Sequence, residues 1–258
     1  PLILGHLSIT IQSFVDRLFL TWYGPEAVAG AVTAGFGTWS LFGLFLGCGE
    51  YLTTFIAQYH GAGRPERIGP ALWQGIYFSA LAGVLVAGLS PLAAPFFALV
   101  GHQAAVQQHE IAYAGILMRG TFPTVLMATL STFFAGRGQT KPILLVNVLV
   151  TLVNVGLDYA WIFGHWGFPA AGSAGAARAT VTSQAVGCVA YLAIIWGPAS
   201  RRAYRTLAGW RFDAGLFWRL LRFGMPTGFQ FAIEISAFAL FLVIVGRIST
   251  AALAASGI

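Results

Sequence analysis

The apolar stretch between Leu144 and Gly164 contains a carboxylate and an amide one helical turn apart. Asn154 and Asp158 are four residues apart, so in an α-helix they lie on one face, one turn from each other. The stretch is long and apolar enough to cross a bilayer as a helix. A carboxylate at that depth is costly unless it faces a bundle interior or water, which makes Asp158 a functional-site candidate.

A second carboxylate, Asp16, lies in the first apolar stretch of the chain. Asp16 precedes Tyr23 by seven residues, and Asp158 precedes Phe163 by five. At the helical rise, these spacings put the two carboxylates about 10 Å and about 8 Å below the outer helix ends. An ion pair with Arg17 is disfavoured, because adjacent residues on a helix do not face each other. We therefore expect Asp16 and Asp158 at similar heights in the outer half of the membrane.

Buried carboxyl groups of this kind have a definite chemistry. Burial disfavours the charged form, so such a group can be neutralised by a proton, by Na⁺ or by an organic cation. Competition among these ligands is the chemical basis of antiport. One alternative is an intramembrane aspartyl protease in which Asp16 and Asp158 share a proton, but the chain lacks the Gly-x-Gly-Asp motif of such enzymes. A purely structural membrane subunit is a further alternative.

The composition indicates a polytopic membrane protein. Of 258 residues, 57% are hydrophobic and 9% are charged, whereas a soluble domain carries roughly 25% charged residues. The net charge of +6 comes from basic residues in short loops, which is typical of membrane topology and not of nucleic-acid binding. The five histidines show no ligand spacing, so no metal site and no cofactor are predicted.

Seven apolar spans predict an all-α fold. Gly43 and Gly47 have the spacing of a close helix contact in the second span, and Pro123 predicts a kink in the fourth. The predicted spans are Pro1–Tyr23, Ala27–Tyr59, Pro70–Leu89, Ile111–Phe134, Pro142–Phe163, Ala174–Trp196 and Leu216–Val245.

The loops between these spans alternate in charge. Three of them contain no Lys or Arg: Gly24–Glu26, Val100–Glu110 and Gly164–Ser173. The others are basic and are therefore predicted to be cytoplasmic, which puts the N-terminus in the cytoplasm as well. The sequence thus predicts a multi-pass protein of the cell (inner) membrane.

A faint internal repeat suggests two lobes. Pro226 matches Pro1 at an offset of 225 residues, and the segment 252–254 resembles the segment 27–29 at the same offset. Parallel repeats of a six-helix unit are a transporter architecture. We expect a six-helix lobe at 1–196, a basic cytoplasmic linker at 197–215, and the seventh helix, which begins a truncated second lobe, at 216–258. The chain would then be a fragment whose partner is the missing C-terminal lobe.

Four motifs carry a resemblance to a known family. They are FVDRLFLTWYGPEAVAG, AQYHGAGRPE, GRGQTKP with LVNVGLDYAWIFG, and GFPAAGSAGAARAT. The chain resembles the N-terminal part of a multidrug and toxic compound extrusion (MATE) transporter. The resemblance implies two six-helix lobes around a cleft, alternating access, and export of cationic or amphipathic drugs in exchange for Na⁺ or H⁺.

The resemblance also implies roles for five residues. The family has Asn and Asp at the spacing of Asn154 and Asp158 as cation or proton ligands, and an Asp at the position of Asp16. Na⁺ could therefore bind at these three residues. A family Thr at the position of Thr180 can approach the fifth-helix Asp, and the NorM-like branch has a Glu at the position of Glu234.

A flippase for lipid-linked oligosaccharides, from the same superfamily, is the nearest alternative. Such a protein is expected to have a basic groove for pyrophosphate. Only Arg119 and Arg178 lie clearly deep in the first six spans, which favours the antiporter.

Overall fold

The computed structural model of the chain is helical, as the sequence predicts. It describes the backbone of residues 2–248 and the side chains of residues 10–237. Pro1 and residues 249–258 lie outside the described part, so the repeat at 252–254 and the end of the predicted second lobe are not described. No strand occurs between residues 2 and 248.

Helices follow one another with short connections. Short 3₁₀ turns at Pro65–Arg67 and Ser90–Leu92 lead into α4 and α5. In chain order, the α-helices of the described backbone are α1 (Leu2–Tyr23), α2 (Pro25–Glu50), α3 (Leu52–Gly61), α4 (Ile68–Leu89), α5 (Ala93–Val100), α6 (Ala104–Arg119), α7 (Thr121–Ala135), α8 (Thr140–Phe163), α9 (Gly172–Ile195), α10 (Pro198–Tyr204) and α11 (Ala214–Ile248).

The long helices are consistent with several membrane crossings. In the described part of the chain, four segments are long and apolar enough to cross a bilayer, and α6 and α7 together provide a fifth. These segments correspond to the second to sixth predicted spans. The four are Pro25–Gly61, Pro65–Val100, Thr140–Phe163 and Gly172–Ile195. The first and seventh spans remain predictions, although α1 packs against α8 and α11 against α2.

The fourth predicted span is broken at Gly120. The axes of α6 and α7 meet there at 51°. A Cβ on Gly120 would collide with the side chain of Val181 on α9. The absence of a side chain at Gly120 therefore lets α9 approach the break closely. Pro123 lies in the first turn of α7, where a missing backbone N–H leaves no hydrogen bond unmade. The bend is therefore real but is centred three residues before the expected proline.

The prediction of an outer loop at Val100–Glu110 is wrong for most of these residues. The helix α6 begins at Ala104 and includes Glu110, which is completely buried. The sequence predicted a loop here, but Thr33 and His102 hydrogen-bond one oxygen of this buried carboxylate inside the fold. Only Gly101 to Gln103 connect α5 to α6.

The close contact predicted from Gly43 and Gly47 is confirmed, and its partner is α11. A Cβ on Gly47 would lie 2.9 Å from the Cα of Gly228, and one on Gly43 would lie 3.1 Å from the Cα of Ala232. Glycine on both helices allows the backbones to approach, which is a common way to join helices where lipid offers no hydrophobic driving force. The start of the seventh helix is thereby fixed against α2.

Replacing Gly47 by Val is expected to separate α2 from α11, because the added side chain would meet the backbone of Gly228. The expected loss of stability is about 1–3 kcal/mol, measured as a lower thermal midpoint of the purified protein in detergent. Gly37→Val is the matched control, since no atom lies within 4 Å of a Cβ built at Gly37. Equal midpoints for the two variants would contradict the contact.

Candidate functional site

Three of the sequence-predicted residues meet where α1 packs against α8. With the amide of Asn154 oriented so that its nitrogen faces the carboxyl groups, Nδ2 lies 2.9 Å from Asp16 Oδ1 and 3.1 Å from Asp158 Oδ2. This orientation is required by chemistry, because the reverse would point the amide oxygen at two acceptors. Asn154 therefore donates to both carboxyl groups and ties α1 to α8.

The two carboxyl groups also contact each other. Asp16 and Asp158 are joined by a side-chain hydrogen bond, and Asn154 and Asp158 are completely buried. A hydrogen bond between two carboxyl groups requires a proton on one of them. Two bare carboxylates in contact inside a membrane would be strongly unfavourable. The arrangement therefore suits a pair that holds a proton or an equivalent cation.

A cavity of about 450 Å³ opens beside this pair. Asp16 lies on its wall, whereas Asn154 and Asp158 lie behind Asp16. The cavity has the size of a small-molecule site and a largely apolar lining with a few polar groups. Other side chains on its wall include Phe36, Trp39, Phe42, Thr180, Gln184, Asn147 and Tyr191.

Thr180 lies on the wall of the same cavity, on the helix that packs against α8. Its Oγ1 and the Oδ1 of Asp158 are both buried without a hydrogen-bond partner. Buried oxygens are rarely left unpaired, so such atoms call for an explanation such as an ion or a proton. Among the described residues, no group of three His, Cys, Asp or Glu side chains could hold a metal ion.

Glu234 is separate from this cluster. It is exposed on α11 and accepts a hydrogen bond of 2.9 Å from Gln230. A shallow second pocket lies between Glu234 and the rings of Phe36 and Trp39 on α2. Those two rings also line the main cavity, whereas Glu234 does not.

Sequence reasoning missed Tyr113. This residue on α6 lines the cavity, packs near Leu20 of α1, and interacts electrostatically with both Asp16 and Asp158. A phenol can donate a hydrogen bond to a carboxylate. Nothing in the local sequence distinguishes Tyr113 from the seven other tyrosines, because its place near the carboxyl pair depends on the packing of α6 against α2 and α9.

Glu110 was also missed. It is a second completely buried carboxylate, in the first half of α6. Its Oε1 accepts hydrogen bonds from Thr33 at 2.6 Å and from His102 at 2.7 Å. The signal was present in the sequence, as a Glu next to the fourth span, but the predicted loop placed it in water.

Comparison with known proteins gives a consistent family. A model of the MatE family matches residues 1–160. Two curated relatives, both named "Probable multidrug resistance protein NorM", are each 27% identical. The one from Thermotoga maritima aligns with 90% of this chain and 50% of its own length, and the one from Rhizobium meliloti with 100% and 56%. The chain thus spans about half the length of the curated relatives it matches.

Solved structures share the fold. An outward-facing multidrug resistance MATE family transporter of the MOP superfamily superposes with a TM-score of 0.82, at 23% identity over 96% of this chain and 54% of that one. A MOP superfamily transporter from Pyrococcus furiosus gives 0.82, at 24% identity over 95% and 53%. Together with the apolar helices, these similarities identify a multi-pass membrane protein.

Replacing Asn154 by Ala is expected to destabilise the protein by about 1–3 kcal/mol, because two carboxyl groups lose a buried donor. The thermal midpoint of the purified protein measures this. Asn147→Ala is the matched control, since Asn147 lies two turns away on the same helix and lines the cavity. The tie between α1 and α8 is contradicted if both variants unfold at the wild-type temperature.

Proposed function

Because this chain belongs to the MatE family, we propose that it forms the N-terminal part of a secondary antiporter. The antiporter exports cationic or amphipathic compounds in exchange for H⁺ or Na⁺. Both curated relatives carry a multidrug resistance name, which supports this class of cargo. Since the chain spans about half of those relatives, transport belongs to the complete polypeptide.

In this proposal the chain has three parts. Residues 1–196 form the N-terminal six-helix lobe, 197–215 a cytoplasmic linker, and 216–258 the first helix of the second lobe. The contact of α11 with α2 through Gly47 and Gly228 supports a seventh helix that packs on the first lobe. The basic loops support a cytoplasmic N-terminus and insertion in the cell membrane.

The observation that carries the proposal is the contact among Asp16, Asn154 and Asp158 beside the cavity. Asp16 lies on the cavity wall and Asp158 lies behind it. A coupling cation that arrives from the cavity therefore meets Asp16 first, and a proton can pass on to Asp158 through the hydrogen bond between the two carboxyl groups. Since α1 contributes only Asp16 to this contact, loading or unloading of the pair changes the force that holds α1 against α8.

Coupling requires that the cation binds the two transport states with different affinity. In the described state, α1 is tied to α8 by a protonated or cation-loaded pair. Loss of the cation would leave two like charges in contact, which favours separation of α1 from α8. Separation changes the cavity wall that the exported compound contacts, and the exchange of cation for compound follows.

Asp158→Asn in the complete polypeptide is expected to abolish export. The amide can neither release a proton nor attract a cation, so the pair cannot alternate between its loaded and unloaded states. Efflux of a fluorescent cationic dye from loaded cells should fall at least about tenfold, which corresponds to one lost charge-assisted interaction. The measurement is repeated with the proton and sodium gradients collapsed one at a time.

Glu66→Gln is the matched control for that experiment, because Glu66 is an exposed carboxylate outside the cavity. Export that is equal in Asp158→Asn and wild type contradicts the antiport mechanism. Cleavage of a membrane peptide that depends on Asp158 would instead support the aspartyl protease, and transfer of a lipid-linked sugar would support the flippase.

Thr180→Val separates the two coupling ions. A sodium ion needs oxygen ligands, and the valine removes one oxygen while keeping the shape of the side chain. If Na⁺ drives transport, sodium-driven efflux should fall roughly tenfold and Thr180→Ser should restore it. If H⁺ is the only coupling ion, proton-driven efflux should be unchanged in all three proteins. Loss of efflux in both Thr180→Val and Thr180→Ser contradicts a role for the hydroxyl as a ligand.

A further inference from the structure

The connection between α9 and α11 is a fixed strap along α4. We use the name strap for residues 197–213. Its backbone carbonyls are held by side chains from one face of α4, so the strap cannot move independently of that helix. The hydrogen bonds run from Trp73 to Thr206 at 2.7 Å, from Gln74 to Arg211 at 3.3 Å, and from Tyr77 to Trp210.

Two glycines bring the strap into backbone contact with α4. A Cβ on Gly69 would lie 2.5 Å from the carbonyl oxygen of Arg205, and one on Gly209 would lie 2.6 Å from the nitrogen of Pro70. Arg205 itself adopts a left-handed backbone with φ of 52°. Such a conformation is unfavourable for a residue with a side chain and persists where surrounding contacts impose it. The positions of the strap arginines are thus set by the fold.

Five arginines form a basic surface where α10 packs against the 3₁₀ turn at Pro65–Arg67. All five are exposed, and no carboxylate among the described side chains lies within 4.0 Å of any of them. We call them the basic surface: Arg64, Arg67, Arg201, Arg202 and Arg205.

Arg137, in the same region, is an arginine whose guanidinium is held by contacts within the fold. Its guanidinium lies 3.8 Å from the ring centre of Phe133 and 4.4 Å from that of Tyr204, and its Nε donates to the Phe133 carbonyl at 2.6 Å. Burial lowers the pKa of this guanidinium. The members of the basic surface have no comparable contact in the described part of the chain, so their charges are available to a partner.

Aromatic side chains mark the height of the bilayer surface beside these arginines. Trp73 stacks on Trp196 with 6.4 Å between ring centres, and Tyr77 contacts Phe212 at 5.7 Å. Trp210 is 59% exposed. Trp and Tyr concentrate at the level of lipid headgroups, where one side of the ring is apolar and the other is wet. The basic surface lies next to these rings, at the end of the bundle where α9 ends and α4 begins.

We propose that the basic surface binds the phosphate groups of anionic phospholipids in the cytoplasmic leaflet. Guanidinium groups match phosphate oxygens with two parallel hydrogen bonds, which an ammonium cannot do. Clusters of four or more basic residues next to a membrane helix attract anionic headgroups. Because the strap is fixed to α4, a bound lipid bridges the first lobe and the linker that leads to the seventh helix.

The test uses the complete polypeptide, purified from mixed membranes that contain phosphatidylglycerol and phosphatidylcholine in equal amounts. Native mass spectrometry counts the lipids retained by each protein. The wild type is expected to retain phosphatidylglycerol in preference to phosphatidylcholine. The triple variant Arg201→Gln, Arg202→Gln, Arg205→Gln should lose this preference by roughly tenfold, since each basic group near a surface contributes appreciably to headgroup attraction.

Two controls keep the result interpretable. The triple variant Lys141→Gln, Arg219→Gln, Arg222→Gln removes the same charge from exposed positions outside the basic surface, and it should keep the wild-type preference. Replacing Arg201, Arg202 and Arg205 by Lys preserves the charge, and this variant should keep most of the preference for phosphatidylglycerol.

Several results would overturn the proposal. Equal losses in the two Gln variants would show general charge attraction only. A lower thermal midpoint of the strap Gln variant, with equal loss of both lipids, would show that the strap positions matter for folding and not for lipid. Release of phosphatidylglycerol by excess inorganic phosphate would show a site for a free anion. Dye efflux is not needed for any of these readings, so the outcome is independent of the proposed transport.

Discussion

Inside a membrane a carboxyl group has no water to stabilise its charge. In this structure two such groups are stabilised by hydrogen bonds within one cluster of side chains. Asp16, Asn154 and Asp158 form hydrogen bonds with one another across α1 and α8. The same contact makes the pair dependent on a proton or a cation, because two bare carboxylates could not remain adjacent there. The contact that holds α1 against α8 therefore depends on the charge state of the carboxyl pair.

Small residues provide the geometry around this contact. A Cβ on Gly175 would lie 2.5 Å from the carbonyl oxygen of Trp161, so α9 crosses α8 at backbone distance. This close crossing brings Thr180 to the cavity that Asp16 lines. At Gly120 the break in the fourth span gives α9 its room on the other side. Close packing by glycine thus substitutes for the hydrophobic effect, which does not act between helices in lipid.

The two ends of the bundle have different chemistry. One end holds a buried carboxylate, Glu110, whose Oε1 accepts hydrogen bonds from Thr33 and His102. The other end carries exposed arginines beside aromatic rings, on a strap fixed to α4. The cavity between them opens beside the carboxyl pair. On the side of α2, α11 packs at backbone distance.

The sequence by itself determined the class of the protein, most helix bounds, and the choice of Asp16, Asn154 and Asp158 as candidate site residues. Those features follow from hydropathy and from the rarity of charge at membrane depth, both of which are local properties. Only the tertiary structure decided that Asn154 bridges the two carboxyl groups, that Tyr113 stands beside them, and that Glu234 lies apart on α11. Contacts between distant helices depend on crossing angles and rotations, which local spacing does not specify. For the same reason the helix around Glu110 was taken for a loop, since its hydrogen-bond partners come from other parts of the chain.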